Sequence, residues 1–166
     1  MPFEPAVRAL ADALRSRGWR LAAAESCTGG LIAAACTAVA GSSDWFERGF
    51  VTYSNAAKTE LLGVLPSLID AYGAVSEEVA LAMAGGALTH APVDVAVAVT
   101  GIAGPGGAVP GKPVGTVWLA WGTAHGLQAE RLQLDGDRAA VRAATVHAAL
   151  RRLIACAGDG MPPTTA

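Results

Sequence analysis

The run Ala24-Glu25-Ser26-Cys27-Thr28-Gly29-Gly30 gathers a hydroxyl, a thiol, a second hydroxyl and two glycines in consecutive positions. It follows the short apolar stretch 21–24 and precedes the alanine-rich helical pattern 31–39, so the order predicts a strand, a tight turn and a helix N-terminus. Glycines lack the Cβ that would keep a ligand from the main chain. Free N–H groups in a first helical turn favour negative charge, whether a phosphate or the oxyanion of acyl transfer. Ser26 or Cys27 is therefore a candidate nucleophile, with Thr28, Gly29 and Gly30 as candidate main-chain contacts. The same residues also suit an ordinary N-cap and turn.

A nucleophile needs a base. His90, His125 and His147 fall on a helix end, a hairpin loop and a terminal helix, and no His–Asp pair is evident. The chain has ten arginines but only two lysines, Lys58 and Lys112, both in Gly/Ser/Asn/Pro-marked segments. Lysine can lose its proton when desolvated and arginine effectively cannot. A Ser26–Lys58 dyad is the better pairing, against the plain reading of Lys58 as a solvated helix lysine. From a reference pKa near 10.4, a neutral lysine costs about 4–5 kcal/mol at pH 7 unless burial or neighbouring donors lower it. Arg138 and Arg142 stand one turn apart on one helix face. They suit a bidentate phosphate clamp or, equally, pairing with Asp135 and Asp137. Lys112-Pro113 reads as a second anion contact or as a turn.

The elements that must position these groups follow from the pattern. Helices are expected at 4–17 and 31–39, from Ser54-Asn55 through Lys58, from Pro66 to Gly73, and from the Ser76 cap to about Thr89. Strands are expected at 21–24, 50–53, 93–99, 114–121 and 127–134, the last two joined tightly and hence antiparallel. A glycine-rich loop, 100–107, runs on to Lys112-Pro113. After Asp135-Gly136-Asp137 comes a last helix whose apolar face is Ala139, Ala143, Val146, Leu150, Leu153 and Ile154. The fold class is α/β, a three-layer α/β/α sandwich with a mixed, partly parallel sheet, in one domain (1–158) with a flexible tail (159–166). Ser26-Cys27-Thr28, Tyr53 to Lys58, and Thr100-Gly101 all follow strands, and ligands of open α/β sheets bind beyond strand carboxyl ends.

With 166 residues and a formal net charge of −2, there is no electrostatic case for nucleic acid or an acidic membrane surface. Three cysteines, Cys27, Cys36 and Cys156, have no metal-ligand spacing, and a reducing cytoplasm fits them best. The first helix is amphipathic rather than a signal peptide, and no run is apolar enough to span a membrane.

Several motifs, in this order, resemble the CinA C-terminal domain family. They are the 24–30 run, Gly41-Ser42-Ser43, Val51-Thr52-Tyr53-Ser54-Asn55 with Lys58, Leu62-Gly63-Val64 and Gly73-Ala74-Val75-Ser76. Thr100-Gly101-Ile102-Ala103-Gly104-Pro105, Lys112-Pro113-Val114-Gly115-Thr116 and Gly136-Asp137-Arg138 with Arg142 complete them. Ala40 and Arg48 depart from the family pattern, away from the expected chemistry. The resemblance implies hydrolysis of the carboxamide of nicotinamide mononucleotide to nicotinate mononucleotide and ammonia, in nucleotide salvage. It implies Ser26 as nucleophile, Lys58 as base, Tyr53, Asn55 and Thr100 as close supports, and an oxyanion held near Thr28 to Gly30, with no metal or cofactor. Candidate substrate contacts are Cys27, Thr28, Gly29, Gly30, Asn55, Thr100, Gly101, Gly104, Lys112, Arg138 and Arg142. The expected partner is this small nucleotide, with a homo-oligomer, a dimer first. Rival readings are a non-catalytic nucleotide-binding module and an interaction module linked to competence or DNA damage.

Overall fold

One strand explains the layers. In β3 (Val95–Gly101), Val95, Val97 and Val99 point to one face and Ala96 and Ala98 to the other. In the computed structural model, which describes residues 2–158, the valine face packs on α1 (Glu4–Arg17), α2 (Leu31–Thr37) and α6 (Arg138–Gly158). The alanine face packs on α5 (Glu77–Thr89), with α3 (Asn55–Leu62) and α4 (Pro66–Tyr72) against it. This is the expected α/β/α sandwich. Small side chains on the second face let α5 lie close to the sheet.

The sheet order is β2-β1-β3-β4-β5. Strand β1 (Leu21–Glu25) runs parallel to β2 (Phe46–Val51) and to β3. Strands β4 (Thr116–Thr123) and β5 (Gly126–Gln133) are antiparallel, as expected. From β1 the chain crosses to β2 by α2, on one face. It returns from β2 to β3 by α3, α4 and α5, on the other. The carboxyl ends of β1 and β3 therefore border a topological switch point, where open α/β sheets leave a crevice.

Several details differ from expectation. The second strand is Phe46–Val51 rather than 50–53: it is an edge strand carrying Glu47, Arg48 and Gly49, whose polarity hides it. Thr52 and Tyr53 fall beyond it. Thr100 and Gly101 belong to β3 rather than the loop, because they pair with Trp118 and Val117. The β4–β5 hairpin closes over Ala124 and His125 alone. In α6, Ala139 is exposed and Ala143 half-buried, and the buried stripe begins at Val141 and Thr145, because the helix starts at Arg138 under an Asp137 cap. The expected tail, 159–166, lies outside the described residues.

Candidate active site

Ser26 leaves β1 at the level of the end of β3, where its main-chain N–H donates to the carbonyl of Val99 at 3.0 Å. Lys58 arrives from α3. The Ser54 hydroxyl caps that helix, accepting from the Ala57 N–H at 3.0 Å, and the inward stripe is Lys58 and, four residues on, Leu62. Close packing fixes the helix in turn. A Cβ on Gly86 of α5 would sit 2.1 Å from the Leu62 carbonyl oxygen, so only glycine admits this approach.

The two side chains meet. Lys58 Nζ lies 2.9 Å from Ser26 Oγ, 3.0 Å from the Thr52 carbonyl and 3.2 Å from the Tyr53 carbonyl. Lys58 is only 1 % exposed, and among the described residues no carboxylate pairs with it. Burial lowers its pKa below the ordinary 10.5, opposed by the nearby Cys27 thiol. A neutral amine has two N–H bonds and one lone pair. In that form, donation to the two carbonyls would leave the lone pair facing the serine hydroxyl. This explains why β2 must stop at Val51: Thr52 and Tyr53 turn their carbonyls to Lys58 instead of to a ladder.

A cavity of about 260 Å³ opens over this pair, bounded by Ser26, Cys27, Tyr53, Asn55, Lys58, Thr100, Gly101, Gly104 and Arg138 among others. Nine of the expected site residues thus share one space. Asn55 is exposed there and has no side-chain hydrogen bond among the described residues. The Thr100 hydroxyl donates to the Ala74 carbonyl at 2.9 Å. Tyr53 is 62 % exposed, and its phenol oxygen accepts from Arg138 at 3.3 Å. Arg138 also donates to the Gly104 carbonyl at 2.9 Å, bridging two walls. Gly104, at φ +85°, has a left-handed conformation, and a Cβ there would meet Val114 at 2.5 Å. A second cavity of about 670 Å³ shares Ala103, Gly104 and Arg138 with the first and reaches Arg142.

The remaining expected residues have partners of their own. The N-terminus of α2 is not open to a ligand, because Glu25 fills it. Fully buried at 0 % exposure, this carboxylate accepts from Thr28 Oγ1 (2.6 Å) and from the N–H groups of Gly30 (3.2 Å), Ile32 (2.9 Å) and Ala33 (2.9 Å). The Gly29 N–H donates to the Ser26 carbonyl at 3.0 Å. Thr28, Gly29 and Gly30 therefore shape the turn without lining the cavity. Among the described residues, the amides of Cys27 and Thr28 are left without an oxygen acceptor. The Cys27 thiol is buried and its pKa pushed up to about 12, so it stays protonated and is a poor nucleophile.

Arg138 and Arg142 both border the second cavity, and each also donates to the main chain. Arg142 donates from Nε to the Cys27 carbonyl and from one Nη to the Thr28 carbonyl, each at 3.1 Å. Neither arginine pairs with Asp135 or Asp137 among the described residues. Lys112 lies outside the cavity, donating to the Tyr72 carbonyl at the end of α4 at 2.7 Å. Sequence reasoning passed over Glu25 and the Thr52 and Tyr53 carbonyls. A glutamate ending an all-buried strand just before a helix was a usable signal, since a buried carboxylate must find donors.

The fold is thus an α/β sheet whose switch-point crevice brings a serine hydroxyl against a buried lysine amine. The chain belongs to the CinA C-terminal domain family, whose model matches residues 4–157. It is 59 % identical to the nicotinamide-nucleotide amidohydrolase PncC of Enterobacter agglomerans, over 78 % of this chain and 80 % of that protein. To the PncC of Pseudomonas putida it is 54 % identical, over 92 % and 96 %. The crystal structure of competence/damage inducible protein CihA from Agrobacterium tumefaciens superposes with a TM-score of 0.90 at 46 % identity, covering 94 % and 96 % of the two chains.

Proposed function

We propose that this chain is an amidohydrolase that converts nicotinamide mononucleotide to nicotinate mononucleotide and ammonia, through an acyl-enzyme on Ser26. The observation that carries the proposal is the 2.9 Å approach of the buried Lys58 amine to Ser26 Oγ. The names of the relatives support the substrate, which offers a carboxamide for attack.

In the first step the Ser26 proton passes to the neutral Nζ of Lys58 as Oγ bonds to the carboxamide carbon. The developing oxyanion takes a hydrogen bond from the amide of Cys27, which has no oxygen acceptor and whose residue borders the cavity. Lys58, now an ammonium held by the Thr52 and Tyr53 carbonyls, returns the proton to the leaving nitrogen. The C–N bond breaks, ammonia departs and a serine ester remains. Water then adds to the ester as Lys58 takes its proton; the acyl C–Oγ bond breaks, Lys58 returns the proton to Ser26 Oγ, and the carboxylic acid product leaves. Asn55 and Thr100 border the reacting group, and the Arg138–Tyr53 bridge stands between the two cavities on the path of the ribose phosphate. The same reading holds the protein to be a cytoplasmic salvage enzyme and a homo-oligomer, a dimer first. Exposed Val51, Leu61, Leu65 and Tyr72 support the latter.

The test is to incubate purified protein with nicotinamide mononucleotide and follow ammonia. Wild type releases it, while Ser26→Ala and Lys58→Ala release it about 10²-fold more slowly or less and stay folded by circular dichroism. Variants that keep near-wild-type rates would contradict the mechanism, and a wild type that releases none would contradict the substrate.

A further inference from the structure

Arg142 faces the site yet points its fork at the protein. Nε and one Nη reach the carbonyls of Cys27 and Thr28, and a Cβ on Gly29 would stand 3.6 Å from that Nη. The guanidinium therefore lies flat against the turn that follows the nucleophile. From the opposite side Glu25 holds the same turn through Thr28 Oγ1 and the N–H of Gly30. Two buried or half-buried charges of opposite sign bracket five residues.

The carbonyl of Cys27 and the N–H of Thr28 belong to one trans peptide unit, so they point in opposite directions. A guanidinium bonded to that oxygen and to the Thr28 carbonyl turns the Thr28 N–H away from α6 and fixes the residue after the nucleophile, Cys27, which borders the cavity. The Cys27 amide, which has no oxygen acceptor among the described residues and whose residue borders the cavity, lies in the turn that Arg142 grips. A bidentate phosphate contact through Nε and that Nη would displace the bonds that hold the turn, although the residue also borders the second cavity.

We infer that Arg142 is a positioning residue for the oxyanion-binding peptide of the Ser26 site and does not serve as the ligand of the substrate phosphate. The inference rests on Ser26 acting as the nucleophile of the proposed function, but not on which amide it attacks.

The experiment therefore has two arms. In the first, wild type and Arg142→Gln react with a fluorophosphonate, and Ser26 labelling is timed by intact mass. There Ser26 Oγ bonds to phosphorus, the P–F bond breaks, fluoride leaves and the serine proton passes to Lys58. In the second arm kcat and KM are measured for nicotinamide mononucleotide and for the same nucleoside without its phosphate. The expected result is labelling and kcat both slowed about 10²-fold, equally for the two amides, with KM unchanged. A KM raised for the nucleotide alone, with labelling untouched, would overturn the inference and return Arg142 to the phosphate. Should Arg142→Gln not fold, Arg142→Lys keeps the charge but loses the fork and must fall in the same direction. A wild type that labels at Ser26 but leaves both amides intact sinks only the substrate reading, and the labelling arm still decides the role of Arg142.

Discussion

Replacing Glu25 by glutamine changes one atom and should unsettle both the fold and the site. The carboxylate accepts four hydrogen bonds in complete burial, three on Oε1 and one on Oε2. If the glutamine oxygen keeps the three, each falls from a charged to a neutral bond, a loss of about 1 kcal/mol apiece. The new NH₂ then faces the N–H of Ala33, which loses its acceptor at about 1–3 kcal/mol. The interaction of a formal charge with the N-terminus of α2 is lost as well. Because the losses share one side chain they do not add fully, and the expected destabilisation is about 3–5 kcal/mol. For a domain of this size that lowers Tm by about 6–20 °C. Urea denaturation followed by circular dichroism measures it, with an unchanged m-value showing that the transition itself is intact. A loss under about 1 kcal/mol, within the range of ordinary surface substitutions, would refute the claim that Glu25 is the anion of the α2 N-terminus. It would also reopen that terminus to substrate.

Two further predictions come from packing and burial. Gly86→Ala forces a methyl against the Leu62 carbonyl, so stability should fall by about 1–3 kcal/mol. Activity should fall with it, because α3 carries Lys58 away from Ser26; denaturation midpoints and kcat measured on the same samples check this. Cys27 and Cys36, both with pKa pushed up to about 12 by burial, hold only about one thiolate in ten thousand at pH 8. Iodoacetamide should label them only after unfolding, as peptide mass mapping would show, and rapid native labelling of Cys27 would contradict its assigned protonation.

The chemistry of this chain was legible where residue type alone limits the role. A chain with two lysines and no His–Asp pair leaves few bases for Ser26, and strand-end positions bring Ser26, Lys58, Asn55, Thr100 and Gly104 to one cavity. The alternation of valine and alanine in β3 likewise announces a buried central strand with helices on both faces. Less legible was which donors are already taken. Spacing shows that amides at 28–33 lie at a helix N-terminus, but not that a carboxylate one turn upstream fills it. Nor does spacing show that hydrogen bonds of Arg138 and Arg142 go to Gly104, Tyr53, Cys27 and Thr28. Main-chain acceptors have no sequence signature at all, so the Thr52 and Tyr53 carbonyls that hold Lys58 could emerge only from where β2 ends. Edge strand β2 was displaced in the reading because one of its faces meets solvent and keeps its charges.

The account stands on Lys58 being the neutral partner of Ser26, and the pH dependence of Ser26 acylation in a single turnover tests this most directly. Since the reactive form is the unprotonated amine and burial lowers its pKa, the rate should rise with pH through one ionisation whose midpoint lies below the ordinary lysine value of 10.5. It should be lost as pH falls through that midpoint. In Lys58→Arg, which stays charged at every accessible pH, the limb should vanish and the rate drop by about 10²-fold or more. An acylation rate independent of pH in the wild type, or a limb that survives in Lys58→Arg, would contradict it.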